Sequence, residues 1–357
     1  MLFGRFFELE PTQNKDASYL FDIFSINDIS SNGYSLIPLI GQPGQGYFFA
    51  AYLGTPIQKV YLLIDTGSAN LAVASLPNLG VKNYFNEHSS SSIKYLHKRI
   101  SLSYLQGSWT GKLVLDNLDL KTYKTKLYPS WVRVEVALID QSIDFFIPSG
   151  DKATWNGIAG LSFSNIAVQA HAKDGLSYAW INFLMPSTLT WYRPSSLRPA
   201  THCFLDDISL KYGLEDSFSV SLCGSTNALK SKNTANIDGE FLIGGYEKDL
   251  MGTNQEFLFT PVRYAWYFEI ILTNFKVDGV EVIVDCKELN FDKTIVDTGT
   301  TNIRLPMRAL CQTASDPIGG VSGAPFNLFP DMEWDMVLNG QEENSTIVRL
   351  SLSPQML

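Results

Sequence analysis

Two short apolar runs, each ending in the same polar turn, organise this chain. Tyr61-Leu62-Leu63-Ile64 leads into Asp65-Thr66-Gly67-Ser68-Ala69-Asn70, and Thr294-Ile295-Val296 leads into Asp297-Thr298-Gly299-Thr300-Thr301-Asn302. An apolar run bounded by turn residues predicts a strand that delivers each Asp to a tight turn. Elsewhere the period is two. Val132, Val134, Val136 and Leu138 alternate with Trp131, Arg133, Glu135 and Ala137, which predicts a half-buried strand, and Val348, Leu350 and Leu352 alternate with Arg349 and Ser351 near the end. Val277-Asp278-Gly279-Val280 sets an Asp-Gly turn between 267–276 and 280–284, a hairpin signal. The stretch Ile100 to Gly111 reads as a projecting hairpin with a Gly-containing tip.

Two segments lack this rhythm. Residues 1–43 form an irregular lead-in, and residues 167–202, with Trp180, Trp191, Pro186, Pro194 and Pro199, read as an inserted loop. The chain has 357 residues, enough for two domains with cores of their own. With 45% hydrophobic, 13% aromatic and 18% charged residues it is a globular, mainly β sequence. The expected arrangement is an N-terminal lobe over 44–220, carrying the first Asp turn and the insertion, and a C-terminal lobe over 221–357 carrying the second.

Charge and composition narrow the chemistry. Net charge is −9 and the basic residues are scattered, which argues against a nucleic-acid partner. The four His and four Cys show no metal-ligand spacing, so no metal or other cofactor is expected, and the adjacency of His202 and Cys203 reads as accident. The first ten residues carry an early acid and too short an apolar run for a secretory signal. No stretch of about 20 apolar residues offers a membrane span. Asn344-Ser345-Thr346 is a glycosylation sequon, used only on the secretory route.

The Asp turns remain as the candidate chemistry. One Asp-Thr-Gly is a common strand-to-turn sequence. Two copies with matching apolar approaches, hydroxyl residues and Asn positions point to a matched pair of carboxyl groups. Brought to about 3 Å, the two cannot both ionise cheaply, so one holds a proton and serves as acid while its partner serves as base. Gly67 and Gly299 permit close backbone approach, and Ser68 and Thr300 can orient their own carboxylates. The hairpin at 100–111 is then a cover over a cleft or an ordinary surface hairpin with Trp109 packed beneath it; the Asp pair favours the cover.

Together the motifs resemble the pepsin-like aspartic proteases, most nearly the beta-secretase branch. The matching residues include Gly44-Gln45-Gly46-Tyr47-Phe48, the run from Asp65 to Val73, Tyr104-Leu105-Gln106-Gly107-Ser108-Trp109, Trp155 to Leu161, Phe218 to Gly224, Ile243-Gly244-Gly245 and Asp285 to Pro306. The resemblance implies a bilobal fold with Asp65 and Asp297 as the catalytic pair, supported by Thr66, Ser68 and Thr298. It also implies Tyr104 as a flap tyrosine and a polypeptide substrate held in extended form by Gly46, Gly67, Gln106, Gly299 and Thr300. Arg304 matches a subsite position and is equally readable as a solvated or structural residue. A monomer without cofactor, working on the secretory route or at membranes in protein processing, is the expectation.

The departures are as informative. No apolar-apolar-Gly strand follows Asp297 to match Ile158-Ala159-Gly160, and Cys223, Cys286 and Cys311 align with residues that, in the branch, pair with cysteines of a more C-terminal portion. The second lobe is therefore expected to be incomplete. Two functions compete: a peptide-bond hydrolase, or a catalytically inactive relative that only binds peptides.

Overall fold

The computed structural model describes residues 2–4, 35–42, 46–104, 107–120, 131–146, 154–164, 166, 203–222, 238–246, 262, 266–277, 280–283, 290, 293–300, 332–337 and 347–352. The insertion at 167–202, the three aligned cysteines, the Asp-Gly turn at 278–279, Gln106 and Arg304 lie outside these residues.

The fold is mainly β. Strands β1 (Leu2–Gly4), β2 (Ser35–Gln42), β3 (Gly46–Leu53), β4 (Gln58–Asp65) and β5 (Leu71–Ala74) come first. They are followed by β6 (Lys94–Ser103), β7 (Ser108–Asp119), β8 (Trp131–Ile143) and β9 (Gly157–Gly160). Helix α1 (Phe204–Tyr212) precedes β10 (Ser217–Leu222) and β11 (Gly239–Ile243), and β12 (Leu272–Val277), β13 (Val280–Ile283), β14 (Met332–Val337) and β15 (Ile347–Leu352) close the order. The first eleven strands form one sheet in the order β1-β10-β11-β2-β3-β4-β9-β5-β8-β7-β6, with a further β3–β7 pairing, and the last four form a second sheet, β13-β12-β14-β15.

Strand β4 shows how the pattern becomes architecture. Val60, Leu62 and Ile64 point into one core with Phe49, Phe218 and Phe241, whereas Leu63 points into a second with Phe48, Trp109 and Trp155. Apolar cover on both faces is why the run reads as continuous rather than alternating. β9 runs parallel to β4, pairing Gly160 with Asp65, and antiparallel to β5. The first Asp turn thus leaves a strand held on both sides, by β3 and β9.

Several expectations shift. The lead-in expected over 1–43 already contributes strands: β2 pairs with β3 and β11, and buries Ile37 and Leu39. Pro38 and the irregular residues before it mask that alternation. Cys203, next in sequence after the insertion, opens α1 and is fully buried with Phe204 and Ile208. The 131–138 strand extends to Ile143, and Glu135 and Ala137 on its predicted outer face are buried. The hairpin signal corresponds to the antiparallel β12–β13 pair, with Val277 opposite Val280, and begins at Leu272 rather than 267. Among the described residues no helix is long and apolar enough to cross a membrane.

Candidate active site

The two Asp turns meet. Thr66 Oγ1 donates to the carbonyl of Val296 at 2.7 Å and accepts from the Thr298 amide at 2.9 Å. Reciprocally, Thr298 Oγ1 donates to the Ile64 carbonyl at 3.0 Å and accepts from the Thr66 amide at 3.1 Å. Four hydrogen bonds related by an approximate two-fold exchange therefore bolt the two strand ends together. Neither Thr carries out chemistry in this arrangement; both position the residue before them.

Each carboxyl is held the same way by its own turn. The Gly67 amide donates to Asp65 Oδ1 at 2.8 Å and the Ser68 hydroxyl donates to Oδ2. The Gly299 amide donates to Asp297 Oδ1 at 2.8 Å, and Thr300 Oγ1 donates to Oδ2 at 2.6 Å. The surroundings differ: Asp65 is 4% exposed, Asp297 half-buried. Burial first, and then the Asp297 charge, push the Asp65 carboxyl far above the usual carboxylate range, against the opposing pull of the Ser68 donor.

The glycines face across the pair. A Cβ on Gly67 would lie 2.7 Å from the carboxylate atoms of Asp297, and one on Gly299 would lie 2.5 Å from Asp65 Oδ1. Neither carboxyl can retreat without losing the hydrogen bonds that hold it. Gly67→Ala is accordingly expected to cut any activity that needs both groups by about a hundredfold or more, since displacement of a reacting group by about 1 Å costs that much. Circular dichroism should stay unchanged in the same protein.

Tyr104, assigned to a flap by the resemblance, directly follows β6 in the β6–β7 hairpin. Its amide donates to the Gly107 carbonyl at 2.9 Å across the tip. Its hydroxyl accepts from Trp109 Nε1 at 3.2 Å. Burial, followed by the Asp65 charge, raises the Tyr104 pKa, so the phenol stays neutral. Trp109 on β7 is buried, as the surface-hairpin reading expects, and residues 105–106 at the tip lie outside the described residues. Gly46 sits at the start of β3, against the side chain of Leu63, two residues before Asp65.

Sequence reasoning missed the wall behind Tyr104. Phe145 stacks on Tyr104 with ring centroids 5.4 Å apart and meets Phe146 and Trp155 edge-on at 4.9 and 5.6 Å. The adjacent Phe145-Phe146 pair at the end of a long strand was the available signal. No period marks it.

Comparison with known proteins agrees with this geometry. The family profile of eukaryotic aspartyl protease matches residues 46–185. A beta-secretase of Strongylocentrotus purpuratus is 33% identical over 281 residues, 75% of this chain. The chain belongs to the pepsin-like aspartic protease family. Cathepsin E-B of Xenopus laevis and pepsin-3 of Oryctolagus cuniculus are each 25% identical, over 80% and 75% of the chain. These matches cover 44%, 60% and 57% of the three relatives, so the chain spans about half the length of the pepsin-like proteins it resembles.

Proposed function

We propose that this chain is an aspartic endopeptidase that hydrolyses peptide bonds of extended polypeptides, beta-secretase-like in its lineage, with its site between an N-terminal lobe and a partial C-terminal lobe. The observation that supports the reading is the reciprocal Thr66–Thr298 bonding between two Asp turns, each of which holds its own carboxyl with the same pair of donors.

In this mechanism the proton shared by the pair rests on Asp65, the more deeply buried carboxyl. Asp297 takes a proton from a water lying between them, the water oxygen attacks the scissile carbonyl carbon, and Asp65 gives its proton to the carbonyl oxygen. The resulting gem-diol collapses as the C–N bond breaks, the amide nitrogen receiving a proton from Asp297 and Asp65 recovering one from the diol. Gly67, Gly299 and Thr300 are assigned to the substrate main chain, with Gln106 and Arg304 as further contacts by resemblance, and Tyr104 covers the site and excludes water. An acidic compartment of the secretory route suits such a pair.

The competing function, a peptide binder without turnover, is favoured by one contrast. Asp65 ends a strand paired on both sides, while Ile295, two residues before Asp297, makes an isolated bridge to Glu269. The pH–rate profile on an unfolded polypeptide separates them. A hydrolase gives a bell: rates fall at low pH when both carboxyls are protonated, and fall again as pH rises and the Asp65 proton is lost. Absence of cleavage products from the folded chain at every pH from about 3 to 8 contradicts the hydrolytic reading.

A further inference from the structure

The reciprocal threonine bonds are one tie between the two Asp turns, and a second tie runs by another route. Gly160, Leu161 and Ser162, at the end of β9 and just beyond it, lie along the first turn. Their amides donate to the carbonyls of Asn70 at 3.0 Å, Asp65 at 2.8 Å and Ser68 at 2.9 Å. Ser162 is fully buried, and its Oγ donates at 2.7 Å to the Trp266 carbonyl, 104 positions along the chain.

The backbone that Ser162 reaches is the neighbour of the second turn. Ile270 donates to the Thr294 carbonyl at 2.9 Å, Val296 donates to the Phe268 carbonyl at 3.0 Å, and Glu269 bridges Ile295. Phe268 is buried, with its ring 5.1 Å from that of Phe163 and 5.6 Å from that of Phe218. A path of bonds therefore leads from Ser68, whose hydroxyl holds Asp65, through Ser162, Trp266 and Phe268 to Val296, which precedes Asp297. The two ends of this path are not held alike. Asp65 ends a strand paired to β3 and β9, so ladders fix its place, whereas the approach to Asp297 is held by the isolated Glu269–Ile295 bridge and the two flanking bonds. Ring packing at Phe268 is non-directional and tolerates sliding along the strand. The Ser162 hydrogen bond is directional and does not.

We propose that Ser162 is a positioning residue, whose hydroxyl pins the 266–270 segment against the first Asp turn and so sets how closely Asp297 faces Asp65. Its kinetic consequence rests on the hydrolytic reading above; its structural consequence does not. Without the hydroxyl each carboxyl keeps the hydrogen bonds of its own turn, but the spacing between the two is loosened. The step that needs both groups then slows more than substrate binding weakens. The Asp297 charge, after burial, helps keep the proton on Asp65, so a more distant Asp297 lets that proton go at lower pH.

The test is Ser162→Ala in the full chain, read in two ways. Hydrogen–deuterium exchange followed by mass spectrometry needs no turnover: the peptide containing Val296 should exchange at least about threefold faster than in the parent, and the peptide containing Leu62 to Ile64 should stay as it was. In hydrolysis of an unfolded polypeptide, kcat should fall about tenfold with KM within about twofold of the parent's, and the basic limb of the pH–rate profile should move to lower pH. A loss of folded protein alone would scale the rate and leave that limb in place. Should Ser162→Ala not fold, Ser162→Cys replaces it, its thiol being the weaker donor, with smaller changes of the same sign. Unchanged exchange at Val296, or an equal rise at both peptides, overturns the proposal. So does a loss of rate carried by KM with the basic limb unmoved. A parent that cleaves nothing counts against the hydrolytic reading, and the exchange result then decides the role of Ser162 by itself.

Discussion

Asp297→Asn and Asp65→Asn are each expected to lower peptide hydrolysis by at least about 10³-fold, within the range of general acid–base contributions, and to leave the fold in place. The two replacements remove different things. The amide introduced by Asp297→Asn cannot take a proton from water, so the attacking oxygen is not activated. The amide introduced by Asp65→Asn cannot give the carbonyl oxygen the proton it needs, and its single oxygen can still accept from the Gly67 amide or the Ser68 hydroxyl but not from both. Neither substitution changes side-chain volume appreciably, so loss of rate with an unchanged fold assigns the effect to chemistry. Asp65→Asn should also leave a protein somewhat more stable near neutral pH, because a buried carboxyl whose pKa is raised in the folded state opposes folding once pH passes its unfolded value. Comparing kcat/KM and the unfolding midpoint for the parent and both variants checks the two statements together.

Thr66→Val carries the second large effect, this time on structure first. The hydroxyl is both donor and acceptor in the interlock, at 2.7 Å to Val296 and 2.9 Å from Thr298. Valine fills the same space and leaves a carbonyl and an amide without their partners. Unpaired polar groups cost about 1–3 kcal/mol each when buried, so with two of them in a partly buried setting the variant should lose at least about 2 kcal/mol in chemical denaturation. Thr298→Val should do the same, through Ile64 and Thr66. The double variant is expected to cost less than the sum of the two, because both belong to one network. Strict additivity would mean that the strand ends are held independently of each other. Activity should fall with the first substitution, since the carboxyls are aligned only while the interlock is intact.

Part of this architecture is readable before any coordinates. Asp65 and Asp297 stand out because an apolar approach, a glycine and a hydroxyl residue must all be present to hold a buried carboxyl, and those requirements are local. The β8 alternation and the β12–β13 hairpin signal are local too. Helix α1 is not readable, because nine residues with an apolar face of Phe204, Leu205 and Ile208 give too short a period to separate from the proline-rich stretch before them. Strand β2 is hidden by Pro38, whose neighbours Ile37 and Leu39 are placed in the core only by pairing with β3 and β11. Glu135 is buried although its place in the β8 alternation reads as an outward one. The aromatic wall at Phe145 and Trp155 likewise takes form only when β8 and β9 are folded against the β6–β7 hairpin.

The central claim is that two carboxyl groups, one from each Asp turn, act as a single unit on one water molecule. Isothermal titration with a statine-type peptide, whose tetrahedral hydroxyl imitates the hydrated carbonyl, tests it most directly, because tight binding needs both carboxyls in register. The parent is predicted to bind the mimic at least about a hundredfold more tightly than either Asp65→Asn or Asp297→Asn. Equal affinity of the parent and both variants for the mimic would contradict the account.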